Sequence, residues 1–325
     1  MTVLSVDNIS IDFDTDDGVI NVIDQLSFTL NKGEILGIVG ESGCGKSVTA
    51  MSLLKLLPQP AAHYRSGQVS YNGTDLWACQ LDQLKQYRGK KIAMIFQEPM
   101  TALNPVYTIG KQLAEIYQLH FPEKTSQQII QASGEILSQV GIAEAQQRLT
   151  EYPHQLSGGM RQRVMIAMAL ACEPDILIAD EPTTALDVTI QAQILALITD
   201  LQQQRQLSVI FITHDLGVIA QLCDRVMVMY AGRMVESADV YTLFEQPKHP
   251  YTHGLLQALP RLTDTPKTKL NTIEGIVPAI ADLGQGCRFA DRCDFASEQC
   301  QSQPCVVGDS HQFACWHPIT AEQIL

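Results

Sequence analysis

Residues 35–47 read Ile35-Leu36-Gly37-Ile38-Val39-Gly40-Glu41-Ser42-Gly43-Cys44-Gly45-Lys46-Ser47. The apolar start has the composition of a buried strand, and a helix-periodic run follows the glycines and ends at Pro58. Between them, Gly40 to Ser47 fits the pattern G-x-x-x-x-G-K-[ST], which requires a strand before it and a helix after it. A chance glycine-rich turn is the alternative, and the flanking strand and helix argue against it. The stretch therefore predicts a phosphate-binding loop.

Each residue type in this loop suits the binding of a nucleotide. Glycines allow successive backbone N–H groups to face an anion, and the helix that begins near Lys46 adds the positive end of its dipole. The Lys46 ammonium can contact terminal phosphates, and the Ser47 hydroxyl can ligate Mg²⁺. The predicted nucleotide contacts are Gly40, Glu41, Ser42, Gly43, Cys44, Gly45, Lys46, Ser47 and Val48.

A second apolar strand, Ile176 to Ala179, carries two acids at its C-terminal end, where α/β sheets bind ligands. Asp180 is expected to hold Mg²⁺, and Glu181 to orient a water for attack on the γ-phosphorus of ATP. An acidic strand end at an ordinary turn is the alternative, and it is weak beside the loop at Gly40.

Strand-like and helical stretches alternate along most of the chain. Two or three antiparallel strands are predicted within the first thirty residues, and Gln-rich, helix-periodic sequence such as Gln127 to Val140 follows later. Apolar strands at 176–179 and 209–212 come next, with helices between them. This order predicts an α/β fold with a parallel sheet covered on both faces and an inserted helical subdomain.

Composition excludes several classes of protein. With 22 basic and 35 acidic residues the net charge is −13, which argues against a nucleic-acid-binding protein. The longest apolar run, Val164 to Cys172, is too short to span a bilayer. The N-terminus has no basic start and meets Asp7 early, unlike a signal peptide. We therefore expect a cytosolic chain with reduced cysteines.

Beyond about residue 245 the sequence changes to Pro, Gly and Cys with short apolar pieces. We expect a separate C-terminal module at residues 246–325, which needs a cross-link or a metal because its apolar core is small. Five of the nine cysteines lie between Cys287 and Cys315. Four thiolates around a metal centre would serve, although the spacing lacks the C-x2-C pair common in zinc ribbons, and free thiols are the alternative.

Several further segments resemble the ATP-binding cassette (ABC) proteins. Leu156-Ser157-Gly158-Gly159-Met160 resembles their signature motif, and Ala185-Leu186-Asp187 resembles their D-loop. Gln97 resembles the Q-loop glutamine, His214 the switch histidine, and Phe13 the aromatic residue that stacks on adenine. The resemblance implies a P-loop (RecA-like) ABC ATPase core at residues 1–245, with an antiparallel β subdomain and a helical subdomain at about 98–160.

The resemblance also implies how the site works. Glu181, His214 and Gln97 would be catalytic, and Ser47, Gln97 and Asp180 would surround Mg²⁺. ATP would be bound between two subunits, so that the loop at Gly40 of one chain faces the motif at Ser157, Gly158 and Gly159 of another, and Asp187 of the D-loop would also belong to the nucleotide site. The sequence thus predicts an ATPase dimer, formed with a non-identical paralogue or with a second copy.

Three segments resemble the oligopeptide, dipeptide and nickel branch of ABC importers. They are the permease-docking segment Glu98 to Pro105, the stretch Pro247 to Thr252, and Gly286 to Cys293. The branch implies two transmembrane permease subunits, an extracytoplasmic solute-binding protein, and a peripheral position on the cytoplasmic face of the inner membrane. It also implies a [4Fe–4S] cluster on Cys287, Cys293, Cys300 and Cys315, with zinc as the second choice and Cys305 as a bystander.

Three questions stay open at this point. The cargo is expected to be di- or oligopeptides, with nickel or another small solute as the alternative. A soluble regulatory or DNA-associated ATPase without a permease is the other class, which the net charge of −13 and the docking segment disfavour. Cys44 stands where the family usually has serine. Nearby backbone amides and Lys46 favour a thiolate that alkylating agents attack, and a packed, unreactive thiol is the alternative.

Overall fold

The computed structural model describes residues 1–16, 18–97, 102–184, 186–259 and 272–324. The chain divides into two compact units. The first unit consists of Met1–Ala78 with Thr213–Leu325, and the second unit is Cys79–Ile212.

The described residues form strands and helices in alternation. The strands are β1 Thr2–Thr15, β2 Gly18–Asn31, β3 Ile35–Val39, β4 Ala62–Tyr71, β5 Thr74–Asp75, β6 Ile92–Ile95, β7 Ile176–Asp180, β8 Ser208–Ile212, β9 Arg225–Tyr230, β10 Arg233–Asp239 and β11 Gln312–Phe313. The α-helices are α1 Lys46–Leu53, α2 Leu81–Leu84, α3 Ile109–His120, α4 Ser126–Gln139, α5 Ala145–Arg148, α6 Gly158–Leu170, α7 Val188–Arg205, α8 Leu216–Leu222, α9 Val240–Glu245, α10 Pro250–Gln257 and α11 Ala321–Ile324.

An antiparallel sheet in the order β2-β1-β4-β5 lies in the first unit. Leu26, Phe28 and Leu30 of β2 are buried while the residues between them are exposed, as expected for a strand with one face on a core. The pairing of β1 with β2 is antiparallel from Thr2 to Thr15. The antiparallel strands predicted for the first thirty residues are therefore confirmed.

Four further strands of the first unit lie side by side in the order β11-β10-β9-β3, and β3 leads into the glycine-rich loop. β3 is buried along its whole length and runs parallel to β9, while β9 pairs antiparallel with β10, and β10 with β11. α8 packs closely on β3, because a Cβ at Gly37 would lie 2.6 Å from Ile219 Cδ1. β3 thereby delivers the chain to Gly40 from within the core.

α1 ends at Leu53, earlier than the predicted run to Pro58. Lys55 has a φ of 50°, its N–H donates to Ser52 O, and the Leu56 N–H donates to Met51 O. This is a Schellman motif, in which a left-handed residue satisfies the last free carbonyls of a helix. The backbone thus stops the helix before the proline is reached.

The second unit contains the parallel strands β6, β7 and β8, paired in that order. α4 confirms the helix predicted near Gln127 to Val140. It begins with a capping box in which Thr125 Oγ accepts the Gln128 N–H and Gln128 Oε1 accepts the Thr125 N–H. The predicted α/β class is confirmed, with antiparallel as well as parallel pairing. The domain boundary at 245/246 and the helical subdomain at about 98–160 stay predictions.

Candidate functional site

The glycines of the phosphate loop adopt conformations that side chains disfavour. Gly40, Gly43 and Gly45 have φ values of +155°, +81° and +100°. A Cβ at Gly40 would lie 2.2 Å from Met229 O, whereas a Cβ at Gly43 would meet nothing within 4 Å. The start of the loop is therefore packed against β9, and Gly43 faces open space where an anion can approach.

Lys46 is only 6% exposed, and its side chain folds back over the loop. Its ammonium donates to Gly40 O at 2.7 Å and to Glu41 O at 3.1 Å. Lys46 is also the first residue of α1, with Gly45 as the N-cap, so the positive helix end and the ammonium lie at the same place. Ser47 follows in the first turn and is half-buried. The arrangement concentrates positive charge where a phosphate would bind.

Cys44 is fully buried, with Sγ 3.8 Å from Lys46 Nζ. Burial raises the pKa of the Cys44 thiol, and the nearby Lys46 charge only partly opposes this. The expectation of a reactive thiolate is therefore wrong. The loss of hydration at this buried site outweighs the attraction of one ammonium.

His214 lies between two residues that are anchored to the backbone of the first unit. The Thr213 N–H donates to Ile38 O of β3 at 3.3 Å, and Thr213 Oγ accepts the Asp215 N–H at 3.0 Å. Asp215 is the N-cap of α8, and its Oδ1 accepts the Gly217 N–H at 2.8 Å. The backbone at His214 is thus fixed beside the strand that leads into the phosphate loop, and His214 itself is exposed.

Phe13 is half-buried near the end of β1, where it pairs with Ile20 of β2 and Ala62 of β4. Further along β2, Ile23 approaches the loop, because a Cβ at Gly45 would lie 2.7 Å from Ile23 Cδ1. The β1–β2 hairpin that carries Phe13 therefore borders the phosphate loop.

In the second unit, Glu181 directly follows the buried strand β7, whose last residue, Asp180, is 3% exposed. Glu181 has a φ of 47°, in the left-handed region, and its N–H donates to Ile212 O at 2.9 Å. Its Oε2 accepts hydrogen bonds from Gln97 Nε2 at 3.1 Å and from Thr184 Oγ at 2.8 Å. Two of the predicted catalytic residues are thus in direct contact.

The signature and D-loop residues both begin helices of the second unit. Ser157 is the N-cap of α6, and Asp187 is the N-cap of α7. A Cβ at Gly159 would lie 3.0 Å from Ile190 Cγ2, so the glycine lets the first turns of these helices approach each other. Around Gly158 a Cβ would meet nothing within 4 Å, which leaves the start of α6 accessible. Ala185 of the D-loop lies outside the described residues.

Four residues near the candidate site, two around Glu181 and two at the phosphate loop, were not predicted from the sequence. Thr184 donates to Glu181, and buried Gln162 donates to Pro182 O at 2.5 Å from within α6. Tyr251 and Arg292 contact Glu41 of the phosphate loop from the C-terminal part of the first unit. Gln162 follows the signature motif closely and could have been noticed. The contacts of Tyr251 and Arg292 had no local signal.

The four predicted cluster ligands are neighbours in the first unit. The Cys287 N–H donates to Cys300 O at 2.8 Å, while Cys305 is exposed. Burial raises the pKa of the Cys315 thiol to about 12, and like charge on Cys287, Cys293 and Cys300 adds to the effect. Across the described ranges, however, no group of three or more His, Cys, Asp or Glu side chains is arranged to hold a metal ion. The thiols are therefore close together without the geometry of a metal site.

Two further observations concern the membrane. None of the helices in the described part of the chain is long and apolar enough to cross a bilayer. In the predicted docking segment, Glu98 to Thr101 lie outside the described residues. The rest of that segment leads into Val106, which is 70% exposed.

Comparisons with known proteins agree with this geometry. A family model described as ABC transporter matches residues 23–184, and one described as oligopeptide/dipeptide transporter, C-terminal region, matches residues 235–300. The probable peptide ABC transporter ATP-binding protein y4tR of Sinorhizobium fredii is 49% identical over 316 residues, covering 96% of this chain and 94% of that protein. The dipeptide transport ATP-binding protein DppD of Bacillus subtilis is 50% identical over 320 residues, covering 97% and 94%.

A solved structure resembles the same core. The dimeric, post-hydrolysis state of the ATP-binding cassette MJ0796 bound to ADP and Pi matches with a TM-score of 0.64 and 25% identity, covering 73% of this chain and 98% of that one. The chain therefore belongs to the ABC transporter ATPases, and to those members that carry the oligopeptide/dipeptide transporter C-terminal region.

Proposed function

We propose that this chain binds ATP with Mg²⁺ and hydrolyses it to energise the import of di- or oligopeptides. The observation that carries the proposal is the Lys46 ammonium, held within the loop by two carbonyl oxygens and ready to exchange them for phosphate oxygens. The proposal of a peptide cargo rests on relatives with 49% and 50% sequence identity that are named for peptide and dipeptide transport.

The residues proposed for Mg²⁺ suit that ion. Ser47, Gln97 and Asp180 supply a hydroxyl, an amide and a carboxylate, and Mg²⁺ prefers oxygen ligands. When bound, the ion would neutralise charge on the β- and γ-phosphate oxygens. Phe13 would stack on the adenine, and residues Gly40 to Val48 would hold the phosphates.

Glu181 is the proposed general base. Hydrogen bonds from Gln97 and Thr184 both reach Glu181 Oε2 and fix the orientation of the carboxylate that would accept a proton from the attacking water. His214 would stabilise the transferred phosphoryl group.

A second ATPase subunit is part of the proposal. Ser157, Gly158 and Gly159 of that subunit, a paralogue or a second copy, would bind the γ-phosphate of ATP held at Gly40 of the first, and Asp187 of the D-loop is proposed as a further residue of the nucleotide site. Open space around Gly158 at the start of α6 supports this role. The dimeric form of the MJ0796 cassette supports it as well.

The proposed partners in the membrane are two permease subunits, which an extracytoplasmic solute-binding protein would supply with peptide. The chain would lie on the cytoplasmic face of the inner membrane. It would consist of a cassette at residues 1–245 and a C-terminal module at 246–325. The docking segment at residues 98–105 would contact a permease subunit.

We further propose a [4Fe–4S] cluster on Cys287, Cys293, Cys300 and Cys315. Its support is the backbone hydrogen bond of 2.8 Å that joins Cys287 to Cys300, while Cys305 is exposed. Zinc is the second candidate, and for zinc and the cluster alike the described cysteines do not form a ready metal site. The ATPase chemistry proposed here does not depend on either metal.

Uptake in intact cells tests the whole proposal. Cells that express the chain with its permeases should accumulate radiolabelled dipeptide, and Lys46→Ala should abolish uptake. Accumulation of nickel instead of peptide would reassign the cargo. Purification of the chain from detergent-solubilised membranes without any permease would favour a soluble regulatory ATPase.

A further inference from the structure

Every polar group of Glu41, the second residue of the phosphate loop, has a partner. Its carboxylate pairs with the Arg292 guanidinium through two hydrogen bonds, Nη1 to Oε2 at 2.7 Å and Nη2 to Oε1 at 3.1 Å. Its backbone N–H donates to Tyr251 Oη at 2.9 Å. Its carbonyl oxygen accepts from Lys46 Nζ at 3.1 Å and from the Cys44 N–H at 3.3 Å. Two partners therefore belong to the loop, and two come from far along the chain.

Both distant partners are held rigidly. Tyr251 is fully buried, with its ring centroid 4.8 Å from that of Tyr230 and 5.3 Å from that of Phe289. The side chain of Arg292 is 5% exposed, and its Nε donates to Glu274 O at 2.9 Å. The guanidinium also lies over the Tyr230 ring, 5.8 Å from its centroid. A planar guanidinium fixed in this way imposes one geometry on a carboxylate.

The segments that carry these partners are themselves tied to the core of the first unit. Glu236 of β10 is fully buried and accepts the N–H groups of Lys248 and His249 at 2.6 and 2.8 Å, just before Tyr251. Arg288, one turn before Arg292, donates to Asp24 Oδ2 at 2.9 Å and to Ala231 O. The two residues that hold Glu41 are thus themselves fixed to the core of the first unit.

We propose that Arg292 and Tyr251 are positioning residues, through which the C-terminal region sets the affinity of the phosphate loop for Mg·ATP. The inference rests on the proposed binding of ATP at Gly40 to Val48. Ser42 and Gly43, the next residues of the loop, are exposed and have no comparable anchors. Holding Glu41 fixes the start of the loop, so less conformational entropy is lost when phosphate binds.

The geometry separates this role from catalysis. The hydrogen bonds that the described structure gives Arg292 and Tyr251 with the phosphate loop all go to Glu41, which is not one of the residues proposed to act on the γ-phosphorus. Their loss should therefore weaken nucleotide binding while the hydrolysis step of bound ATP continues at a nearly unchanged rate. A role in holding the C-terminal region alone would lower thermal stability without changing nucleotide affinity.

Equilibrium binding of Mg·ATP to the purified full-length chain tests the proposal, with kcat and KM measured in the assembled transporter. Arg292→Gln should weaken binding by roughly tenfold and raise KM, with kcat changed by less than about twofold. Tyr251→Phe keeps the ring packing and should weaken binding by about threefold. Glu41→Gln with Arg292→Gln should bind no more weakly than Arg292→Gln alone, since each change removes the partner of the other.

Arg225→Gln is the matched control. Arg225 also pairs with a glutamate of the first unit, Nε to Glu34 Oε1 at 2.7 Å, and neither residue belongs to the loop. Its affinity for Mg·ATP should equal that of the unaltered chain. Unchanged affinity in both Arg292→Gln and Tyr251→Phe would overturn the inference. Failure of the unaltered chain to bind Mg·ATP would instead overturn the proposed function.

Discussion

Gln97 Nε2 lies 3.1 Å from Glu181 Oε2 in the second unit, and the reason is the register of two parallel strands. Ile95 at the end of β6 pairs with Ala179 of β7. Gln97 and Glu181 each follow their paired residue by two positions, so they leave the sheet at the same level. Thr184 Oγ then reaches Glu181 Oε2 from the turn that follows. The carboxylate is thereby oriented before any substrate binds.

Glu181→Gln should bind Mg·ATP with nearly unchanged affinity but lose turnover by at least about a hundredfold. The amide cannot accept a proton from the attacking water, while the phosphate loop remains intact. Binding and steady-state hydrolysis, measured on the same preparation of the assembled complex, check this. Lys46→Ala is the contrasting variant, because it should lose binding itself. Turnover of Glu181→Gln near the rate of the unaltered chain would refute the assignment of the base.

Thr184→Val should lower kcat severalfold and leave KM for ATP unchanged. The valine has nearly the same shape but removes the hydroxyl that donates to Glu181 at 2.8 Å, so the carboxylate is less well oriented. Thr184→Ser retains the hydroxyl and should restore most of the rate. Equal losses in the valine and serine variants would mean that packing of the methyl group, not the hydrogen bond, is what matters.

Cys44 should resist alkylation by iodoacetamide at pH 7 in the folded, nucleotide-free chain. Its side chain is fully buried and its thiol pKa is raised by burial, so both access and thiolate are lacking. Exposed Cys305 is the internal control and should react readily. Mass spectrometry of the digested protein separates the two sites. Modification of Cys44 at the rate of Cys305 would contradict the buried position.

His249 should make the chain less stable in mild acid. Burial lowers the pKa of His249 to about 4, below its usual value of 6.5, although Glu236 opposes the shift. The neutral ring is also required because Nδ1 accepts the Tyr251 N–H at 3.1 Å. Between pH 4 and pH 6.5 the unfolded chain binds more protons at His249 than the folded chain does. The contribution of neutral His249 to the free energy of unfolding is therefore complete above about pH 6.5 and is lost as the pH falls towards 4.

Urea unfolding between pH 7 and pH 4 measures the effect. His249 should contribute roughly 3 kcal/mol to the difference in unfolding free energy. His249→Asn can still cap α10 but does not titrate, so it should flatten this part of the pH profile. His154→Asn, at an exposed position, should leave the profile unchanged. A profile that is the same for His249→Asn and the unaltered chain would contradict the prediction.

Anaerobically purified chain should be brown and contain iron and acid-labile sulfide in equal amounts, since a [4Fe–4S] cluster holds four of each. Cys315→Ser should bleach the protein, and Cys305→Ser should not. Colourless anaerobic protein with stoichiometric zinc would overturn the cluster. A bleached Cys305→Ser variant would overturn the choice of ligands.

Local sequence was sufficient to predict a structural feature wherever that feature is caused by residues that are neighbours in the chain. The phosphate loop is recognisable because one short segment supplies the strand, the glycines with positive φ, and Lys46 at the start of a helix. The alternation of β2 and the capping box of α4 are likewise decided by neighbours in the chain. The expectation of a reactive Cys44 thiolate failed because burial in the fold, which local sequence does not show, raises the pKa of the thiol. Its neighbours in sequence favour a thiolate, but burial is a property of the whole fold.

Sequence patterns were sufficient to predict the α/β class and the phosphate loop, and the resemblance to ABC proteins supplied the candidate residues Gln97 and His214. Which candidate residues touch, and which distant residues support them, depends on how the chain packs. Gln97 meets Glu181 through strand register, and Arg292 meets Glu41 across 251 positions of sequence. A side-chain pair of this separation has no periodicity or spacing that marks it. It forms because strands and turns, each specified locally, pack into the core of the first unit and bring the two groups within hydrogen-bonding distance.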